Sequence, residues 1–141
     1  MSALYTTTVT ATGGRAGRVQ SDDGLLEMQL ALPSSMGGTG KASNPEQMFA
    51  GGYAACFGNA VIHVARRHKA KLRDNDVTVM ATVGLRDNGS GGFGLTVALD
   101  VTLAGLDQAE AETIVGEAHK VCPYSNAMRG NIDVAITVRV A

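Results

Sequence analysis

The sequence predicts an α+β domain in the order three strands, one helix, two strands, helices and one strand. Apolar and polar residues alternate in the N-terminal third, at 77–103 and at 132–140, which is typical of half-buried strands. Helix-start signals instead precede the apolar stretches at 45–65 and 107–121. The 141 residues, 45% of them hydrophobic, suffice for one core, so we expect a single domain over 1–141.

The N-terminal third predicts three strands of an antiparallel meander. Residues 4–11 are β-branched and alternate, and residues 18–21 can return as a second strand. The DDG sequence at 22–24 is typical of a hairpin turn. Residues 25–32 then place four apolar side chains on one face, namely Leu26, Met28, Leu30 and Leu32.

A long helix is predicted after the glycine-containing loop at 33–43. Ser43 or Asn44 can cap this helix, and Pro45 suits its first position. Glu46 falls in the first turn, where the helix dipole favours a carboxylate.

The interior of this helix is apolar or small nearly all round from 48 to 64, which predicts burial on most sides. The adjacent Gly51 and Gly52 predict a break or a kink within it. Such a helix needs cover. Either a second copy of the chain or the folded-back C-terminal half can supply that cover.

The C-terminal half predicts two long strands, two helices and a last strand. Alternation at 77–85 and 93–103 flanks the turn sequence DNGSGG. A capping-box-like start predicts a helix from Asp107 to about Val121. A short helix follows with Cys122 near its N-cap, and the strand at 132–140 ends the chain.

Composition and charge argue against several functions. The net charge is −1, and the chain has three Phe, three Tyr and no Trp. It therefore lacks the basic charge and the aromatic residues typical of proteins that bind nucleic acid or anionic membranes. No basic N-terminal segment leads into an apolar run, so we expect a soluble cytoplasmic protein. The two cysteines are too few for a disulfide framework or a zinc cluster, and His63, His68 and His119 complete no metal set, so no metal is expected.

Four side chains are candidates for a functional site, and each also has an ordinary structural interpretation. Cys56, within the apolar helix, fits an inert buried cysteine. Cys122, near a helix N-terminus, fits either a cap or a stabilised thiolate. Arg15 lies among glycines in the turn GGRAG, as a solvated turn residue would. Glu46 can be explained as a carboxylate that the helix dipole stabilises in the first turn.

Four segments change this balance when they are taken together. They are TATGGRAGRV, NPEQMFAGGYAACF, GLRDNGSGGFGLTVALDV and AHKVCPYSNAMRGNIDV. With them the chain resembles, nearly end to end, the organic hydroperoxide resistance proteins, which share a wider family with the osmotically inducible proteins. The second and fourth segments are the specific ones, because each surrounds one cysteine.

The resemblance implies an OsmC-like fold, an intertwined homodimer and a thiol peroxidase acting on organic hydroperoxides. By position, Cys56 matches the peroxidatic cysteine and Cys122 the resolving cysteine. Arg15 matches the arginine that attends the thiolate, and Glu46 matches the carboxylate that orients this arginine. Two positions depart from the family pattern, with methionine at position 48 and glycine at position 51, and these small packing changes can alter the shape of the pocket.

Physical chemistry favours the same assignment. A thiolate attacks peroxide, but burial keeps a cysteine protonated, so a permanently charged arginine fixed by a carboxylate suits the task. Cys56 would become a sulfenic acid, Cys122 would condense with it, and an external dithiol would restore both thiols. This chemistry requires no bound cofactor. The resemblance implies a dihydrolipoyl group, carried by a lipoylated protein, as the reductant.

Apolar neighbours of the thiol would favour alkyl or lipid hydroperoxides over hydrogen peroxide. The candidates for such a pocket are Met36, Met48, Phe49, Tyr53 and Phe57. The alternative to the enzyme is a dimeric α+β binding module with an apolar pocket and two structural cysteines.

Overall fold

The computed structural model describes all of residues 1–141 as two three-stranded sheets and three α-helices. The order is three strands, a long helix, two strands, two helices and a strand, which confirms the predicted α+β fold. The chain forms two compact units, 1–48 and 49–141. The single domain over the whole length stays a prediction.

The sheet of the first unit is an antiparallel meander of β1 (Val9–Thr12), β2 (Arg18–Ser21) and β3 (Glu27–Gln29). The first and third strands are shorter than the predicted 4–11 and 25–32. Strand pairing of β1 starts where Val9 faces Ser21, and beyond that pair one more backbone hydrogen bond, 3.1 Å long, runs from the N–H of Asp22 to the carbonyl of Thr8. After Gln29 the chain continues by pairing with the segment that leads into the first helix.

Helix α1 (Pro45–Arg67) begins where the side chain of Asn44 accepts a 2.9 Å hydrogen bond from the backbone N–H of Gln47. It continues through Gly51 and Gly52, so the predicted break is wrong. Tertiary packing can outweigh the low helix propensity of glycine, and the buried face of α1 begins at Tyr53, directly after Gly52. Gly52 itself gives room to Tyr124, whose Oη would lie 3.1 Å from a Cβ at this position.

One face of α1 is buried, not most sides as predicted. The buried side chains are Tyr53, Phe57, Ala60, Val61, Val64 and Ala65. The other side leaves Gly51, Ala55, Asn59 and His63 exposed. By length and composition alone α1 is apolar enough to cross a membrane. Its buried face instead lies in the protein core, as in the central helix of a soluble domain.

The sheet of the second unit is built on a long hairpin. Strands β4 (Val77–Asp87) and β5 (Phe93–Leu103) are antiparallel and pair over their whole length, as their alternation predicts. Strand β6 (Ala135–Val140) adds to β5 in parallel, which two intervening helices make possible.

Those helices are α2 (Gln108–Val121) and α3 (Pro123–Met128), with Cys122 at the corner between them. The Asp107 side chain accepts a 2.8 Å hydrogen bond from the backbone N–H of Glu110, so the predicted start of α2 is confirmed. One apolar face of α2 packs with α1 and the inner face of β5 to form a core that includes Cys122. The fold therefore places Cys56 on α1 and Cys122 at the corner between α2 and α3, both in the second unit.

Candidate active site

The turn that carries Arg15 has a backbone only glycine permits. Gly13 has a φ of 84°, in the left-handed region. A Cβ at Gly17 would lie 1.7 Å from the carbonyl oxygen of Thr12. The carbonyl oxygen of Gly17 accepts a 2.8 Å hydrogen bond from the backbone N–H of Leu30, which ties this turn to the end of β3.

The start of α1 is tied to the same strand. The backbone N–H of Ser43 donates to the carbonyl of Gln29 at 3.2 Å, and that of Ala31 donates to the carbonyl of Ser43 at 2.9 Å. The turn and the helix start thus share β3 as a support. This shared support brings Arg15 and Glu46 together, although they are 31 residues apart.

Arg15 and Glu46 form a bidentate ion pair. The two terminal nitrogens of Arg15 donate to the two carboxylate oxygens of Glu46 at 2.8 and 2.6 Å. These hydrogen bonds hold the pKa of Glu46 below its ordinary value and raise the pKa of Arg15. Both groups are therefore charged at neutral pH, and the guanidinium has a fixed orientation. The pairing predicted for these two residues is present.

The two cysteines lie side by side in the second unit. Cys56, in the middle of α1, is partly buried, and Cys122, at the corner between α2 and α3, is fully buried. Their sulfur atoms are 3.5 Å apart, although 66 residues separate them in the sequence. Both thiols are free. Since a disulfide bond is about 2.05 Å long, a small movement suffices to join them.

Burial raises the pKa of the Cys56 thiol above its ordinary value. A hydrogen bond from the backbone of Tyr124 acts against this, while the neighbouring Cys122 raises the pKa further. In this environment Cys56 is mainly a thiol at neutral pH. Nucleophilic attack would need an additional source of thiolate stabilisation. Arg15 and Glu46 lie in the first unit, and their effect on Cys56 stays a prediction.

Three aromatic rings, from α1 and α3, pack against one another. The Tyr124 ring lies 5.8 Å from that of Tyr53 and 6.5 Å from that of Phe49, measured between centroids. Tyr53 and Phe57 have no exposed surface, so they belong to the core. Among the other pocket candidates, Met36 and Met48 belong to the first unit. The five-residue substrate pocket stays a prediction.

An open cavity of about 280 Å³ borders Cys56. Its other lining residues are Asn59, Ala60, His63, Val121 and Pro123. None of them is a predicted pocket residue. The cavity gives small molecules a route to the exposed part of the Cys56 side chain.

Sequence reasoning missed a buried polar cluster beside the cysteines. The hydroxyl of Ser125 lies 2.7 Å from that of Tyr53 and 2.8 Å from Nδ1 of His119. His119 and Ser125 lie three residues before and after Cys122, and this spacing was the available signal. Of the remaining histidines, His68 pairs with Glu117 at 2.7 Å. The structure gathers no group of three His, Cys, Asp or Glu side chains that would hold a metal ion.

The chain is similar to known proteins over nearly its whole length. Residues 38–137 match the OsmC-like protein family. The organic hydroperoxide resistance protein of Xanthomonas axonopodis pv. citri (strain 306) is 50% identical over 136 residues, 96% of this chain and 94% of the relative. The organic hydroperoxide resistance protein OhrB of Bacillus subtilis (strain 168) is 42% identical, over 97% of this chain and 99% of the relative.

Solved structures are similar as well. The crystal structure of an organic hydroperoxide resistance protein from Elizabethkingia anophelis, with crystallant-derived thiocyanate bound, superposes with a TM-score of 0.94. Its sequence is 46% identical, and the match covers 100% of both chains.

Proposed function

The chain belongs to the OsmC-like protein family, and on that premise we propose that it is a cysteine-based peroxidase that reduces organic hydroperoxides to alcohols. Several relatives of 42–50% identity are named for organic hydroperoxide resistance, which supports a role in resistance to organic peroxides and in the oxidative stress response. The chemistry itself is our inference from the residues at the site.

A single observation carries the proposal, namely the 3.5 Å separation of the Cys56 and Cys122 sulfur atoms. A pair of purely structural cysteines has no need to approach this closely in a core that other apolar side chains can fill. Two free thiols at this distance are prepared for reversible disulfide formation. The difference in burial distinguishes them, because only Cys56 has exposed surface beside the cavity.

The proposed reaction has three steps. The Cys56 thiolate attacks the terminal oxygen of R–OOH, the O–O bond breaks, and the alkoxide leaves and takes a proton to become the alcohol. Cys56 is now a sulfenic acid. The thiol of Cys122 condenses with it, which forms the disulfide and releases water. An external dithiol then reduces this disulfide and becomes a disulfide itself.

Arg15 is the cation that we assign to the Cys56 thiolate, with Glu46 as the residue that orients it. Because burial raises the pKa of Cys56, the first step needs a positive charge that favours the ionised form. The bidentate contact with Glu46 supports this proposal, since it keeps the guanidinium charged and oriented.

The working protein is, in this proposal, a cytoplasmic homodimer. Exposed apolar surface supports an assembly, with Leu4, Tyr5 and Leu25 on the first unit and the small residues Gly51 and Ala55 on α1. A second copy would cover the side of α1 that a single chain leaves open. The reductant is a dihydrolipoyl group, carried by a lipoylated protein or supplied as dihydrolipoamide, and no tightly bound cofactor takes part.

The deciding experiment is a thiol titration after addition of one equivalent of an alkyl hydroperoxide to the reduced protein. A peroxidase loses two thiols per chain and forms one equivalent of alcohol. A dimeric binding module with structural cysteines keeps both thiols, and this result would refute the proposal. Hydrogen peroxide at the same concentration serves as the comparison, and we expect it to react more slowly.

A further inference from the structure

The hydroxyl of Ser125 is the centre of a buried polar cluster that the proposed reaction does not use. Ser125 and Tyr53 have no exposed surface, and the two hydroxyl oxygens are 2.7 Å apart. On the other side, Nδ1 of half-buried His119 lies 2.8 Å from the Ser125 oxygen. Every buried side-chain nitrogen or oxygen in the protein has a hydrogen-bond partner.

The cluster connects the three helices at the positions of the two cysteines. Tyr53 precedes Cys56 by three residues on α1, which is close to one turn. His119 precedes Cys122 by three residues near the end of α2, and Ser125 follows Cys122 by three residues in α3. The Ser125 hydroxyl therefore ties the corner that carries Cys122 to the turn of α1 that carries Cys56.

The direction of the hydrogen bonds follows from the protonation of the two outer groups. Burial and the charge of Arg129 lower the pKa of His119, so its neutral ring can accept at Nδ1 from the Ser125 hydroxyl. Burial also raises the pKa of Tyr53, so its hydroxyl keeps its proton and donates to the oxygen of Ser125. Removing the Ser125 hydroxyl would leave two partly or fully buried polar groups without their partner.

We propose that Ser125 is a positioning residue that holds the thiol of Cys122 in line for attack on the sulfur of Cys56. This inference rests on the proposed function and adds a determinant of its second step. In that step the Cys122 sulfur bonds to the Cys56 sulfur, the S–OH bond breaks, and the hydroxide with a proton leaves as water. A displacement of about 1 Å of a reacting atom can cost about a hundredfold in rate. Ser125 thereby favours the disulfide over further oxidation of the sulfenic acid.

The test uses an oxidant that contains no peroxide, so it is separate from the test of the proposed function. With 5,5′-dithiobis(2-nitrobenzoate), the Cys56 thiolate attacks the reagent disulfide and releases one thionitrobenzoate. Cys122 then attacks the mixed disulfide on Cys56 and releases a second thionitrobenzoate as the protein disulfide forms. Stopped-flow absorbance separates the two releases. The Cys122→Ser variant shows only the first release and identifies it.

The Ser125→Ala variant should keep the rate of the first release and slow the second release by at least about tenfold. Tyr53→Phe, which keeps the ring but loses one arm of the cluster, should slow the second release less. Ile114→Val, a core change on α2 at a residue outside the cluster, controls for general loss of stability and should leave both rates unchanged.

A wild-type rate of the second release in folded Ser125→Ala would overturn the inference. If Ser125→Ala does not fold, Tyr53→Phe decides the matter, because an unchanged or faster second release in that variant contradicts the assignment equally. Equal slowing in Ile114→Val and Ser125→Ala would also overturn it, since general destabilisation would then account for the effect.

Discussion

The sulfur of Cys122 lies 3.5 Å from the sulfur of Cys56, and Cys122, at the corner between α2 and α3, has no exposed surface of its own. This relationship gives the two thiols unequal chemistry. Cys56 borders an open cavity and can meet a peroxide, whereas Cys122 can meet only Cys56. The order of events in the proposed reaction, attack by Cys56 and resolution by Cys122, follows from this difference in access.

Replacing the proposed nucleophile should abolish catalysis without unfolding the chain. Cys56→Ser should lower the turnover of an alkyl hydroperoxide with a dithiol on the order of a thousandfold or more, the scale on which loss of a covalent nucleophile acts. The measurement is peroxide consumption, with circular dichroism as the control for folding. Substantial peroxidase activity in a folded Cys56→Ser protein would contradict the assignment of Cys56 as the nucleophile.

Replacing the resolving cysteine should stop the cycle after its first step. Cys122→Ser should consume about one equivalent of peroxide per chain and then stop, because the sulfenic acid on Cys56 has no partner. Mass spectrometry should find sulfenic acid on Cys56, and sulfinic acid at higher peroxide concentrations. An unmodified Cys56 after this treatment would contradict the scheme.

Much of the fold was predictable because its signals are local. The alternation at 77–103 predicts the β4–β5 hairpin, and Asp107 with Glu110 predicts the start of α2. The predicted strands at 4–11 and 25–32 are too long because a strand ends where its partner ends, which alternation does not report. The prediction that α1 is buried on most sides was wrong for a related reason, since an apolar sequence does not report which elements of the chain pack against a helix.

The site was predictable only in part. The resemblance identified Cys56, Cys122, Arg15 and Glu46, and the structure pairs the first two and the last two. The Ser125 cluster was not predicted, because Tyr53, the partner of Ser125 on α1, lies 72 residues away in the sequence. The three polar side chains form one hydrogen-bonded cluster only when the three helices pack together.

The reactivity of Cys56 should depend on pH and on Arg15. Since burial raises the pKa of this thiol, its alkylation by iodoacetamide should accelerate as the pH rises through neutrality. Arg15→Ala should shift this profile to higher pH and slow alkylation at pH 7 roughly tenfold, the scale of one charge-assisted contact. Glu46→Ala should shift the profile by less, because Glu46 affects Cys56 only through the orientation of Arg15. Identical profiles for wild type and Arg15→Ala would refute the electrostatic role.

The same pair should contribute to stability in a defined pH range. The pKa of Glu46 is lowered in the folded protein, so its contribution is present above the ordinary pKa of a glutamate and is lost as the pH falls through the lowered value. Glu46→Gln should therefore destabilise the protein by about 1 kcal/mol at pH 7 and by less at pH 3. Urea unfolding at both pH values measures this, and an equal loss at both would contradict the assignment.

Assembly and folding should be lost together. If a second copy covers the open side of α1, dissociation exposes apolar surface and destabilises the chain. Light scattering at micromolar concentration should give twice the mass of one chain, and Ala55→Arg should reduce both the mass and the melting temperature. A monomeric, well-folded wild-type protein at that concentration would disprove the dimer.

A dihydrolipoyl group should be the reductant, and access to the disulfide is the reason. Cys122 is fully buried and Cys56 only partly exposed, so a bulky protein such as thioredoxin should reach their disulfide poorly. Glutathione is charged and polar, and as a monothiol it must attack twice through a mixed disulfide. A dihydrolipoyl arm is slim and largely hydrocarbon, and its second thiol completes the exchange at a high effective concentration.

The comparison should use each reductant at a matched thiol concentration with limiting protein. Peroxide loss is measured with dihydrolipoamide, with glutathione, and with thioredoxin plus its reductase. We expect dihydrolipoamide to sustain turnover at least about tenfold faster than the other two, since it alone combines a slender shape with a paired thiol. A second arm uses the isolated, peroxide-oxidised protein and measures the return of free thiols without turnover. This arm separates reduction of the disulfide from attack on the peroxide. Equal rates with thioredoxin or glutathione in this arm would show that the Cys56–Cys122 disulfide is accessible to bulky and polar reductants, which would contradict selection of the reductant by access.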